Sequence, residues 1–285
     1  MALFYSVNVL RRLEEKGELW DGIRRLSAEE SGITPEESWQ RMRYALQVMQ
    51  EADRGYDGSA RSHSGLSGGD GEKMARYACS GGSICGEFIG EVLAGALRMG
   101  ECNACMHRIV AAPTAGSCGV LPAVLLPYGK KFHSGEEMLI RALYIAAGYG
   151  AVIAERASLS GAEAGCQAEI GTASAMAAAA LVYLRGGNAA EMENALSFAL
   201  KNMMGLVCDP VAGLVEVPCV KRNAAGAMNA LTAAEMALAG IVSRIPIDAM
   251  AAVGAQLSPD LKETGRGGVA ASPSARRFRK SFFEK

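Results

Sequence analysis

Two segments, residues 169–184 and 224–243, are apolar on most sides when they are drawn as α-helices. A helix without a polar face has no side that favours water, so both segments are predicted to be buried. Half of all residues are hydrophobic and 34 are glycine, and small side chains let helix backbones approach one another closely. We therefore predict a mostly α fold, a compact bundle of buried Ala/Gly-rich helices joined by Gly-rich loops.

Other segments carry the polar signals of helix N-termini. Residues 34–37 and 188–191 each place a capping residue three positions before a glutamate, as in a capping box. Residues 134–137 are predicted to open another helix that runs to about residue 155. One face of the first of these helices is apolar at spacings of three and four residues, which indicates a side turned to the core: Trp39, Met42, Leu46 and Met49.

The chain divides into three predicted parts. Residues 1–60 form a helical N-terminal arm, residues 61–258 a catalytic domain, and residues 259–285 a C-terminal tail. Four Gly-rich stretches punctuate the helices, and we expect such loops to form the functional site: residues 65–71, 81–86, 113–119 and 205–213.

Three of the eight cysteines, Cys166, Cys208 and Cys219, lie in Gly/Ala/Pro-rich surroundings and are spaced by 42 and 11 residues. Soft thiolates on loops suit an iron–sulfur cluster, and three of them leave one iron without a protein ligand. The spacing alone favours small buried hydrophobes instead, since free cysteine often has that role. Zinc is a weaker competitor, because structural zinc sites usually take four ligands at short paired spacings.

The other cysteines are predicted to be incidental. Cys102 and Cys105 form a C-x-x-C pair, which in isolation resembles a redox dithiol or half a zinc site. No partner pair follows at zinc-finger spacing. We give the same interpretation to Cys79, Cys85 and Cys118.

Two loops contain small hydroxyl residues and flexible backbone of the kind that forms anion-binding nests. Ordinary turn chemistry explains most such loops, so both interpretations stay open. Beyond the loops, Lys221 is a candidate for binding a carboxylate or countering thiolate charge, and His63 a candidate acid or base. The candidate substrate-binding residues are Ser67, Gly68, Gly69, Asp70, Thr114, Ala115, Gly116 and Ser117.

Composition excludes several classes of protein. The net charge of −1 gives no electrostatic footprint for nucleic acid. No stretch is predicted to span a membrane, because the most apolar one, residues 173–184, is too short and Ala-rich, and the charged start resembles no signal peptide. We therefore expect a cytoplasmic protein with reduced thiols.

The longer motifs resemble those of a known family, the α subunit of the bacterial iron–sulfur L-serine dehydratases. The resemblance covers nearly the whole chain and is strongest from about residue 160 to 245. It is carried by Ser67–Asp70, Pro113–Ser117, Ser160-Gly161, Gly165–Gly171, Gly205–Cys219, Lys221–Asn223 and Glu263–Gly268.

This resemblance implies a [4Fe–4S] cluster held by Cys166, Cys208 and Cys219, with no pyridoxal phosphate. It implies elimination of water from L-serine to give pyruvate and ammonia, with the open iron as Lewis acid. It also implies a separate β subunit. Fused relatives can end in a cysteine that caps the open iron, and no cysteine follows Cys219 here. Two alternatives remain: elimination from another β-substituted amino acid such as L-cysteine, and a non-catalytic helical cluster-binding subunit.

Overall fold

The computed structural model describes residue 4, residues 6–247 and residues 272–283. Within these residues it contains twelve α-helices, one 3₁₀ turn and no β-strand, which confirms the mostly α prediction. The helices are α1 (Val7–Lys16), α2 (Leu19–Ser31), α3 (Pro35–Arg54), α4 (Asp70–Cys79), α5 (Gly86–Ala104), α6 (Val120–Phe132), α7 (Glu136–Ala154), α8 (Gly161–Ala164), α9 (Cys166–Leu184), α10 (Ala189–Met203), α11 (Cys219–Leu238) and α12 (Pro273–Phe283). The 3₁₀ turn, Val211–Gly213, lies between α10 and α11.

Helix α9 is the centre of the bundle. It packs against α6, α7, α10 and α11, and residues 173–180 are all buried. Alanines at most of these positions let four neighbours approach without large side chains between the backbones. The segment predicted to be buried on all sides is therefore the innermost helix.

The predicted boundaries of the second buried helix were shifted. The prediction covered residues 224–243, whereas α11 runs from Cys219 to Leu238. The helix ends before Gly240, which adopts a positive φ of 82° that an α-helix does not allow. At the other end, the polar residues 221–223 lie close to the start of the helix. A prediction based on hydrophobicity therefore placed the start of the helix after them.

The capping signals were correct. The Thr34 and Asn188 side chains each accept a hydrogen bond from the backbone of the glutamate three residues on, and both glutamates return the contact. The apolar face of α3 also faces the core: Leu46 and Met49 are buried, and the Trp39 ring stacks on Tyr144 of α7 at 6.2 Å. The helices of the N-terminal arm thus pack on α7.

Helix α7 is long and apolar enough to cross a membrane by length and composition. The prediction that no segment meets this test was therefore too strong. Most of the helix is buried inside the fold against α2, α3 and α9, as in the core helix of a water-exposed bundle.

The division into arm, domain and tail stays a prediction. The boundary at residue 258 and the Glu263–Gly268 motif lie outside the described residues. Of the tail, helix α12 is described, and it packs against the Val211–Gly213 turn.

Replacing Gly226 with Ala is expected to destabilise the bundle. A Cβ atom there would lie 2.8 Å from Ile170 Cγ2 and 3.0 Å from Val120 Cγ2, both on stiff β-branched side chains of neighbouring helices. Such overpacking costs about 1–3 kcal/mol. Thermal unfolding of Gly226→Ala should therefore show a lower Tm. Gly135→Ala, where a Cβ meets nothing within 4 Å, should stay near wild type; equal Tm values for the two variants would contradict this packing account.

Candidate active site

The three candidate cluster cysteines lie at the same end of the bundle core. Cys166 is the first residue of α9 and Cys219 the first residue of α11, while Cys208 lies on the segment between α10 and α11. Gly165, at a φ of 77°, provides the left-handed turn that leads into Cys166. Helix N-termini carry partial positive charge, which favours thiolates and anionic groups.

The three thiols interact, and they differ in acidity. The hydrogen bond from Cys208 lowers the pKa of Cys166; burial opposes this effect and the charge of Arg222 adds to it. Burial, together with the negative charge of Cys166, raises the pKa of Cys219 to about 12. Cys166 is thus ready to bind metal as a thiolate, whereas Cys219 gives up its proton when metal replaces it.

Arg222 provides the positive charge of the site. One guanidinium nitrogen, Nη1, donates to Cys166 Sγ at 3.2 Å, to the Val207 carbonyl at 3.0 Å and to Asp209 Oδ1 at 2.6 Å. Asp209 is buried and Arg222 nearly so. Arg222 therefore fixes the Cys208 segment beside Cys166 and partly neutralises thiolate charge.

Two amides hold the surrounding loops in register. The side-chain oxygen of Gln167 accepts from the Gly205 N–H at 2.8 Å, and the backbone N–H of Gln167 donates to the Leu206 carbonyl at 3.0 Å. These two bonds tie the Cys208 segment to α9. Asn223 is fully buried; it accepts from the Gly119 N–H at 2.8 Å and donates to the Gly116 carbonyl at 2.8 Å. Asn223 thereby joins the Thr114–Ser117 loop to the first turn of α11.

Glu169 places a carboxyl group among these elements, one helical turn after Cys166. Thr114 Oγ1 donates to its Oε1, and the Gly116 N–H also donates to the carboxyl. Burial raises the pKa of Glu169 although both hydrogen bonds act to lower it. A Cβ at position 116 would lie 2.5 Å from Glu169 Oε1, so a larger residue there would displace the carboxyl group.

The carboxyl group also faces the cysteine segment across Gly161. A Cβ atom at Gly161 would lie 2.7 Å from Glu169 Oε2 and 3.7 Å from Cys208 Sγ. The Thr114 loop, Glu169 and Cys208 therefore bound one small space. A carboxyl group of raised pKa in such a position is suited to proton transfer.

The donor set fits an iron–sulfur cluster better than a single ion. Among the described residues, no three His, Cys, Asp or Glu side chains converge closely enough to hold one metal ion. A cubane cluster binds each thiolate to a different iron, so its ligands stand farther apart. Three soft sulfur atoms, two positive helix ends and Arg222 match the softness and negative charge of such a cluster.

Comparison with known proteins shows the family. The sequence model of the family described as "Serine dehydratase alpha chain" matches residues 13–270 of the chain. The chain belongs to this family. A probable L-serine dehydratase alpha chain of Bacillus subtilis (strain 168) is 50% identical over 255 residues, which cover 88% of this chain and 85% of that protein.

Two further relatives of the serine dehydratase alpha chain family differ in how much of their length this chain matches. The L-serine dehydratase alpha chain of Peptoniphilus asaccharolyticus is 44% identical over 218 residues, 75% of each protein. The L-serine dehydratase TdcG of Escherichia coli (strain K12) is 45% identical over 181 residues, which cover 61% of this chain and 40% of that protein. The family region is thus a whole subunit in some relatives and part of a longer chain in others.

In this member of the serine dehydratase alpha chain family, the Ser67–Asp70 loop leads into α4. Ser67 is 3% exposed, and its Oγ has no hydrogen-bond partner among the described residues. A buried hydroxyl without a partner costs free energy unless a ligand or water completes it. This orphaned hydroxyl supports the interpretation of the loop as a ligand contact over the ordinary-turn interpretation.

The two sequence-predicted polar candidates lie at the edge of the site. Lys221 is half-exposed and its Nζ pairs with Asp70 Oδ2 at 2.6 Å, so it ties the Ser67 loop to α11. Its neighbour Arg222, rather than Lys221, contacts the cysteines. His63 is exposed and its ring lies 5.9 Å from that of Phe282 in α12.

The remaining cysteines lack the features of the trio. Burial raises the pKa of Cys102 to about 11 and that of Cys118 to about 12, and it also raises the pKa of Cys105. Cys79 and Cys85 are exposed, and none of the eight cysteines forms a disulfide. Cys219 has a similarly raised pKa, so acidity alone does not separate these cysteines from the trio, and their incidental role stays a prediction.

Sequence reasoning missed Glu169 as a candidate for chemistry. It lies in the quoted Gly165–Gly171 motif, but nothing in the sequence shows that a loop some fifty residues earlier donates to it. A usable signal existed: Glu169 is the one charged residue of α9 and falls three positions after Cys166. A charged residue on the turn above a candidate metal ligand indicates a side chain that faces the site.

Proposed function

We propose that this chain is the catalytic alpha subunit of an L-serine dehydratase, which converts L-serine to pyruvate and ammonia. The observation that carries the proposal is the convergence of Cys166, Cys208 and Glu169 in a chain of this family. Relatives named L-serine dehydratase alpha chain, at 44–50% identity, support the substrate. The reaction removes hydroxide from Cβ and a proton from Cα; the resulting aminoacrylate tautomerises to an imine and hydrolyses.

The cofactor of this proposal is a [4Fe–4S] cluster held by Cys166, Cys208 and Cys219. When bound, it would supply a Lewis-acidic iron without a protein ligand for the leaving hydroxyl group. The two helix N-termini and Arg222 stabilise the negative charge of the three thiolates. The free thiols of the chain also support a reducing, cytoplasmic location.

Glu169 is the proposed proton acceptor. Its ionised carboxylate takes the α-proton, and its raised pKa makes it a stronger base than an exposed glutamate. Thr114 and Gly116 hold the carboxyl in one orientation while the proton moves. The backbone of the Ser67–Asp70 loop binds the substrate carboxylate, with the Ser67 hydroxyl as an additional donor.

The direct test is an assay of the anaerobically reconstituted protein. Chain treated with iron, sulfide and reductant should produce pyruvate and ammonia from L-serine in equal amounts, and exposure to air with a chelator should abolish this activity. L-cysteine serves as the comparison, because the same site eliminating sulfide would give pyruvate from it. Faster turnover of L-cysteine would replace the proposed substrate, and a cluster-loaded chain inert towards both, even with the β subunit added, would indicate a non-catalytic subunit.

A β subunit is expected to increase turnover. The alignment with this chain covers 40% of the longer Escherichia coli relative, whereas proteins named alpha chain are matched over most of their length. This difference supports a second polypeptide that completes the site. Reconstituted chain should bind a cluster alone and turn over L-serine at least about tenfold faster, that is about 1.4 kcal/mol, with the β subunit added. Identical kcat with and without it would rule out a shared active site.

A further inference from the structure

We propose that Glu216 is a positioning residue, which fixes the Ser62–Gly71 loop against the cysteine segment so that the loop can bind the substrate carboxylate. The inference rests on the proposed function for the identity of the substrate. The anchoring of the loop by Glu216 rests on hydrogen bonds in the structure and does not depend on the substrate.

Glu216 lies three residues before Cys219 and is 6% exposed. One of its carboxylate oxygens, Oε2, accepts from Ser62 Oγ at 2.5 Å and from Ser64 Oγ at 2.8 Å. Hydrogen bonds to a charged acceptor are stronger than neutral ones, and removal of a buried acceptor leaves its donors unpaired. Glu216 therefore joins the cluster-ligand segment to a loop that lies some 150 residues earlier in the chain.

Ser62 also connects Glu216 to Ser67 through hydrogen bonds. The Ser62 hydroxyl accepts from the Ser67 N–H at 3.2 Å, and the Ser62 N–H donates to the Ser67 carbonyl at 3.0 Å. The contacts from Glu216 through Ser62 thus hold the backbone that presents the partnerless Ser67 hydroxyl. A shift of Glu216 would move Ser67 relative to Cys219.

A second buried carboxylate holds the other end of the loop. Glu101, 1% exposed, accepts from the backbone N–H groups of Asp70 at 2.9 Å and Gly71 at 3.1 Å, and from the Tyr56 hydroxyl. Glu101 belongs to α5, however, and contacts no cysteine of the trio. Of the two buried carboxylates, Glu216 alone lies on the cysteine segment. The half-exposed Lys221–Asp70 ion pair also joins the far end of the loop to α11, whereas Glu216 holds the part of the loop that carries Ser67.

The test compares Glu216→Ala with Glu216→Gln in reconstituted protein, with Glu193→Ala as control. Both serines donate to a single oxygen, so glutamine can keep that acceptor whereas alanine removes it. Glu193 is another buried carboxylate, which pairs with Arg11 on the far side of the bundle core. We expect Glu216→Ala to raise KM for L-serine about tenfold with kcat within about twofold, because a binding loop is lost rather than the chemistry. Glu216→Gln and Glu193→Ala should keep KM near wild type.

Hydrogen–deuterium exchange of the peptide covering residues 60–71 provides a readout without turnover. Exchange should quicken in Glu216→Ala and not in the other two variants, with the bound iron unchanged. Unaltered exchange and KM in Glu216→Ala, or equal damage from Glu216→Gln, would overturn the positioning role. If Glu216→Ala does not fold, Ser62→Ala decides, since it breaks the same link and should show the same changes. A wild-type chain inert towards L-serine refutes the proposed function alone, because the exchange result still tests the anchor.

Discussion

Single replacement of Cys166, Cys208 or Cys219 by serine is expected to remove most of the bound iron and all measurable turnover. In the proposed cluster each thiolate would bind a different iron, so the loss of one would leave a second iron without a protein ligand and only two thiolates to hold the cluster. The alcohol of serine does not ionise near neutral pH and is a hard oxygen donor, which suits iron–sulfur clusters poorly. Iron and sulfide analysis of anaerobically reconstituted variants, with the pyruvate assay, measures the effect.

Cys102→Ser is the matched control for this series. Cys102 is buried like Cys166 and Cys219, but its thiol donates weakly to the Ala52 carbonyl and lies in α5. Its replacement should leave iron content near wild type. A Cys102 variant that loses its iron while the trio variants keep theirs would show that the cluster lies elsewhere.

Glu169→Gln is expected to lower kcat by about 10²–10⁴-fold while iron content and Tm stay near wild type. The amide keeps the size of the side chain and an oxygen that accepts from Thr114, but it takes no proton. Loss of a general base costs a factor of this size. Glu163→Gln is the control, because Glu163 is an exposed glutamate of α8 that bonds Ser158 instead. A Glu169→Gln enzyme with more than about a tenth of wild-type kcat would exclude Glu169 as the base.

The pH profile provides an independent check on Glu169. Burial raises the pKa of this carboxyl, so it becomes protonated at a higher pH than an exposed glutamate does. Because the protonated form accepts no proton, kcat/KM should fall as pH drops through this raised pKa. Activity therefore decreases on the acid side earlier than an ordinary glutamate would predict. Thr114→Val, which removes one of the opposing hydrogen bonds, should move this limb to still higher pH.

Local signals in the sequence were sufficient for some of the helices. The capping residues Thr34 and Asn188, and the alanine-rich run of α9, specify structure through contacts within one or two turns. The bounds of α11 were harder, because its first turn carries the polar residues that belong to the site. Function there overrides the hydrophobic pattern on which the boundary prediction depended.

The site was predictable only where ligand type identifies the chemistry. The cysteine trio and the Ser67 and Thr114 loops follow from residue types and family motifs. The roles of Glu169, Glu216 and Asn223 depend instead on partners 55–154 residues away in the chain, which no local pattern reveals. The sequence also does not distinguish the adjacent cations Lys221 and Arg222. In the structure Arg222 is nearly buried and contacts Cys166, whereas Lys221 is half-exposed.

We propose that three cysteines of this chain hold a cluster with one iron available to L-serine. Mössbauer spectroscopy of protein reconstituted anaerobically with ⁵⁷Fe tests it most directly. The account predicts about four irons per chain, with one iron subsite whose signal changes on addition of L-serine while the others stay constant. A single type of iron that does not respond to L-serine, or iron retained by a chain lacking Cys166, Cys208 and Cys219, would contradict it.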